Sequence, residues 1–153
     1  MKVLLPDTNV LSELFRDNRA VAKRLSQADR LLLSPVVEGE LRGGFRCGTK
    51  LEKNLEMLSD FLKEPFVEAI PVSSETADRY SRIWAQLREK GTPIPSNDIW
   101  IAAQATEMGV ELLSFDQHFE KIEGLVWTLL VHPKSDPGGI APVRKSCREE
   151  RRT

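Results

Sequence analysis

Four acids stand where a short chain could use them together. Asp7 follows the apolar run Val3-Leu4-Leu5 directly, in "LLPDTNVLSEL". Glu40 lies in "SPVVEGELRGG", Asp98 in "PIPSNDIWIAAQA", and Asp116 in "GVELLSFDQHF". Carboxylates crowded without partners repel one another and rise in pKa. Such a group makes sense around divalent cations, and hard oxygen donors suit Mg²⁺ or Mn²⁺. One or two such ions lower the pKa of a bound water and steady an in-line attack on a phosphodiester. Thr8, Asn9 and Ser114 stand close enough in sequence to supply supporting hydrogen bonds. Each acid also has a plainer use. Asp7 or Thr8 can cap a helix beginning near Asn9, Asp98 can favour a helix N-terminus with Ser96 or Asn97 as cap, and Asp116 can cap 117–121. Glu40, taken alone, reads as a solvated helix residue.

The elements around these acids decide whether they can meet. Apolar runs at 2–6, 30–34, 66–72, 110–115 and 125–131 read as strands, the leucine triplet 31–33 being fit for burial on both faces. Between them, apolar spacing of three and four predicts helices over 9–15, 18–27, 35–46, 49–63, 74–90 and 97–108. Pro35 suits a first helical position, while Gly91 and Gly109 suit helix ends. Strands alternating with helices imply an α/β fold: a three-layer α/β/α sandwich on a mainly parallel sheet of about five strands. Open parallel sheets bind ligands at the carboxyl ends of their strands. Asp7 and Asp116 follow strands directly, Glu40 opens onto the same end from the helix after strand two, and Asp98 begins the helix feeding strand four.

Composition bounds the rest. The chain has 153 residues, 41% hydrophobic and 29% charged, with a net charge of −1. These totals predict one domain over 1–132 and exclude binding to nucleic acid by bulk charge alone. Residues 133–153 hold six basic residues against three acidic ones, with three prolines and two glycines, and read as a disordered or loosely docked tail. No apolar run is long enough for a membrane span, and the start lacks a signal peptide's apolar region, so a cytoplasmic location is expected. Cys47 and Cys147, far apart and without metal-ligand spacing, read as free thiols. His118 and His132 lack zinc-site spacing. Arg42 and Arg46 read as a solvated helix face, and Trp84, Trp100 and Trp127 as core.

The four quoted segments, in this order and over roughly residues 2–131, resemble the PIN-domain ribonucleases, specifically the VapC-type toxins of bacterial toxin–antitoxin pairs. Pro6 before the first acid and the long basic tail depart from that pattern. The resemblance implies Mg²⁺- or Mn²⁺-dependent cleavage of single-stranded RNA regions, transfer RNA being the target class the family suggests. It implies metal-binding acids at Asp7, Glu40, Asp98 and Asp116, Asp7 and Asp98 being the direct ligands, with a supporting hydroxyl at Ser114. Attack by activated water would leave a 5′-phosphate on the downstream fragment. It also implies a VapB-like antitoxin and a homodimer. Two other readings fit a strand-end Asp. One is a haloacid-dehalogenase-type phosphatase, which would want an acid where Asn9 stands. The other is a non-catalytic RNA- or protein-binding module, which loss of an acid would favour.

Overall fold

A computed structural model describes residues 1–132. The element order is β1 (Val3–Pro6), α1 (Thr8–Phe15), α2 (Arg19–Ser26), β2 (Arg30–Leu33), α3 (Pro35–Cys47), α4 (Leu51–Leu62), β3 (Val67–Ala69), α5 (Ser74–Glu89), α6 (Ser96–Met108), β4 (Glu111–Ser114), a 3₁₀ turn (Gln117–Lys121) and β5 (Trp127–Leu129). The strands form one parallel sheet in the order β3-β2-β1-β4-β5. Helices layered on it give the three-layer α/β/α arrangement.

The strand order sets the position of the site. The chain moves outward from β1 through β2 to β3, then returns to lay β4 on the other side of β1. The loops leaving β1 and β4 therefore depart in opposite directions, which opens a crevice at the carboxyl ends of the two central strands. Leu5 pairs with Leu112 and Pro6 with Leu113, so Asp7 and Ser114 come out of the sheet side by side. Pro6 costs little there, at the last position of its strand.

Leu4, Leu5, Leu31, Leu32, Leu33, Leu112 and Leu113 are all buried. Helices cover both faces of the sheet, which is why these strands read as continuous apolar runs. Each buried leucine contributes roughly 1.5–3 kcal/mol, and shortening one to Ala costs about 2–5 kcal/mol. α6 is buried nearly all round, through Ile99, Ile101, Ala102, Ala103, Gln104 and Ala105. Its alanines let neighbouring elements approach closely. Its buried amide is satisfied: Ser34 donates to Gln104 Oε1, and Gln104 Nε2 donates to the Pro71 carbonyl at 3.1 Å. These bonds tie α6 to the ends of β2 and β3. Gly109 closes the helix at φ 65°, a left-handed conformation that favours glycine.

Some expectations need adjustment. The edge strands are three residues each, shorter than their apolar runs, because each has a neighbour on one side only and Pro71 has no N–H to donate. α6 begins after Pro95 with no side-chain cap, so neither Ser96 nor Asn97 has that role. Cys47 is disulfide-bonded, not a free thiol. The predicted tail, 133–153, lies outside the described residues. No described helix is long and apolar enough to cross a membrane.

Candidate active site

Asp7 caps α1 and also faces the crevice. Its backbone N–H donates to the Leu113 carbonyl at 2.8 Å, fastening it to β4. Its Oδ1 accepts from the Thr8 N–H at 2.8 Å, and its Oδ2 accepts from Ser114 Oγ at 2.8 Å. Ser114 Oγ in turn accepts from the Asp116 N–H at 3.0 Å. On the other side, Thr8 Oγ1 donates to Glu40 Oε1 at 3.0 Å. The capping and functional readings of Asp7 are therefore compatible, since one carboxylate oxygen serves the helix and the other is held by Ser114.

Asp98 lies at the start of α6 and is fully buried. Its Oδ2 is 2.5 Å from His118 Nε2, and His118 Nδ1 is 2.7 Å from Asp116 Oδ1. Asp116 also caps the 3₁₀ turn, accepting from the His118 N–H at 3.3 Å. A continuous series of hydrogen bonds and close polar contacts thus runs from Glu40 through Thr8, Asp7, Ser114, Asp116 and His118 to Asp98. It joins side chains from four separate segments. Thr8 and Ser114 link acids directly. Asn9 is half-buried in the first turn of α1.

The electrostatics match the geometry. Asp7 is 2% exposed. Burial, then the charge of Asp98, push its carboxyl up from 3.8 to about 7, with a smaller push from Glu40. The hydrogen bonds from Ser114 and Thr8 act the other way by favouring the charged form. Asp7, Asp98 and Glu40 therefore feel one another through a poorly screened interior. A buried group of carboxylates with this much mutual repulsion is suited to a bound cation.

His118 is the residue that spacing arguments set aside. Its spacing along the chain matches no zinc-ligand pattern, and its partner Asp98 is twenty residues away. The available signal was its position two residues after Asp116, inside a turn that folds the ring back over the acid that caps it.

The PIN domain family model matches residues 4–125. The chain belongs to the PIN-domain family, and membership favours the nuclease among the readings drawn from the residues. Ribonuclease VapC1 of Haemophilus influenzae (strain R2866) is 28% identical over 131 residues, covering 82% of this chain and 96% of that protein. Among solved structures, VapBC2 from Rickettsia felis bound to a promoter DNA fragment has a similar fold, with a TM-score of 0.77 at 23% identity, covering 84% of this chain and 98% of that one. VapBC-1 from nontypeable Haemophilus influenzae gives 0.74 at 25% identity, covering 83% and 97%.

Proposed function

We propose that this protein is a VapC-type endoribonuclease, the toxin of a toxin–antitoxin pair, which cleaves single-stranded regions of RNA with the help of Mg²⁺ or Mn²⁺. The observation that carries this reading is the linked series from Glu40 to Asp98 at the carboxyl ends of β1 and β4. The relatives named as ribonucleases support it, as does the likeness to toxin–antitoxin structures.

The residues fit a hard divalent ion. Asp7, Glu40, Asp98 and Asp116 offer carboxylate oxygens, and burial together with the charge of Asp98 raises the pKa of Asp7, a shift that a bound cation would oppose. Asp7 and Asp98 would be the direct ligands, with Glu40 and Asp116 completing the set. When bound, the ion supplies charge stabilisation at phosphorus and acidifies water. The protein's own part is positioning. Ser114 fixes the orientation of the Asp7 carboxylate and, through the Asp116 N–H, the start of the next turn. Thr8 fixes Glu40. Burial of Asp7 and Asp98 keeps bulk water from screening the charges. Hydrolysis would leave a 5′-phosphate on the downstream fragment.

An unrestrained nuclease acting where cellular RNA is found, in the cytoplasm, needs control. A VapB-like antitoxin segment carrying an Arg or Lys into the acidic crevice would pair with the carboxylates. The toxin itself would act as a homodimer, with transfer RNA as the first substrate to try. The test is purified protein with mixed cellular RNA, in Mg²⁺, Mn²⁺ or EDTA, followed by sequencing of cleaved ends. Cuts with 5′-phosphates that vanish in EDTA and in Asp98→Ala are expected. Intact RNA in every condition would overturn the nuclease reading.

A further inference from the structure

We propose that His118 is a metal ligand of this site, giving an otherwise all-oxygen cluster one nitrogen donor and a preference for Mn²⁺ over Mg²⁺. The inference rests on the metal-dependent nuclease reading above. Asp98, Asp116 and His118 each present one ligand atom, and the three atoms lie within 4.8 Å of one another. That is a compact triangle of the size one ion needs. The imidazole is not a bystander to the acids: its two nitrogens face Asp98 Oδ2 and Asp116 Oδ1 at 2.5 and 2.7 Å.

Both ring nitrogens face carboxylate oxygens, and a cation seated among these groups would take one ring nitrogen and the two carboxylates as ligands of one ion. The surroundings favour this geometry over a chance surface contact. Asp98 is fully buried, and the His118 side chain is 19% exposed. The His118 backbone N–H donates to the same Asp116 Oδ1 that the ring faces, and Phe119, the next residue, is buried in the core. The ring therefore sits at the mouth of the crevice, with its nitrogens directed toward the acids.

The chemical consequence concerns selectivity. Mg²⁺ takes oxygen ligands and keeps several waters, whereas transition ions gain from an imidazole nitrogen. A cluster of four carboxylates alone would separate Mn²⁺ from Mg²⁺ poorly.

The experiment loads the full-length protein with Mn²⁺ and records electron spin echo modulation, which detects a directly coordinated imidazole nitrogen. The chain has two histidines, and His132, stacked on Phe115, is the internal control. Nitrogen modulation is expected in the wild type and in His132→Gln, and its loss in His118→Gln. Calorimetric titration of the same proteins should show Mn²⁺ affinity reduced at least about tenfold in His118→Gln, with Mg²⁺ affinity little changed, because the amide oxygen of Gln still suits Mg²⁺. Mn²⁺ binding to the wild type without nitrogen modulation would overturn the His118 assignment and leave the nuclease reading standing. Modulation lost in His132→Gln instead would do the same. Failure of the wild type to bind either ion would overturn both. Should His118→Gln not fold, nitrogen-15 histidine labelling of His132→Gln decides the matter, since His118 is then the one histidine in the chain and only a coordinated ring changes the modulation.

Discussion

Replacing Asp7 by Asn should make the metal-free protein more stable in alkaline buffer while abolishing RNA cleavage. In the unfolded chain this carboxyl releases its proton near 3.8, and in the folded protein near 7. Folding therefore retains a proton that unfolding gives up. The stability tied to that proton is fully present below about pH 3.8, declines as pH rises through the window to about 7, and is absent above it. A difference of about three pH units corresponds to ~4 kcal/mol. Asn carries no charge and avoids that cost. It cannot accept from both Thr8 and Ser114 as the carboxylate does, and the lost hydrogen bond costs about 1–2 kcal/mol. The balance at pH 8.5 is a gain on the order of 2 kcal/mol, or roughly 4–8 °C in Tm for a chain of this size. At pH 5 the wild type has kept its proton in the fold, and the two effects nearly cancel. Thermal melts of both proteins in EDTA at pH 5 and 8.5, beside an RNA cleavage assay, read this out. A Tm difference that is the same at both pH values would refute the reasoning, as would a wild type that is the more stable at pH 8.5. Near wild-type cleavage by Asp7→Asn would refute the role given to the carboxylate.

Two further outcomes follow from the same geometry. Mn²⁺ or Mg²⁺ at about one hundred times its Kd should stabilise the wild type by ~2.7 kcal/mol in a thermal melt, since a ligand bound only to the folded state acts by mass action; Asp98→Ala should gain almost none of it, and equal gains would place the ion elsewhere. A VapB-like antitoxin that binds this protein should stop cleavage at about equimolar ratio, and neutralising its inserted Arg or Lys should restore cleavage more than it weakens the complex in a pull-down; binding without loss of cleavage would refute the proposed pairing with the acids.

The sheet is legible because its central strands are leucine runs that announce burial on both faces, and because β1 and β2 are each followed by a helix with an apolar face. Three acids were legible for the same reason: Asp7 and Asp116 punctuate strand ends, and Asp98 opens a helix whose remaining first turns are apolar. Glu40 was found only through its place after the second strand, and what positions it is the hydroxyl of Thr8, thirty-two residues away. His118 is not legible in the sequence because its partner Asp98 is remote in sequence and near in space, and linear spacing carries no trace of that. The missing side-chain cap of α6 has a related cause: Pro95 directs the chain into the helix with Asp98 turned inward, so tertiary packing replaces a local capping bond. The edge strands were overestimated because apolar content reports burial, whereas ladder length depends on a neighbour that sheet edges lack.

The position of β4 next to β1 also bears on how this protein is made. Synthesis runs from the first residue onward, so a growing chain that has emerged through α5 already carries Asp7 and Glu40 but neither Asp98 nor the segment from Ser114 to Asp116. One side of β1 then has no strand beside it, and the Asp7 N–H lacks the Leu113 carbonyl it bonds in the finished fold. A ribosome would thus be shielded from its own product for most of the translation time. The hazardous species arises late, when β4 slots in and joins the two halves of the acidic crevice, and an inhibitor needs to be on hand only from that moment.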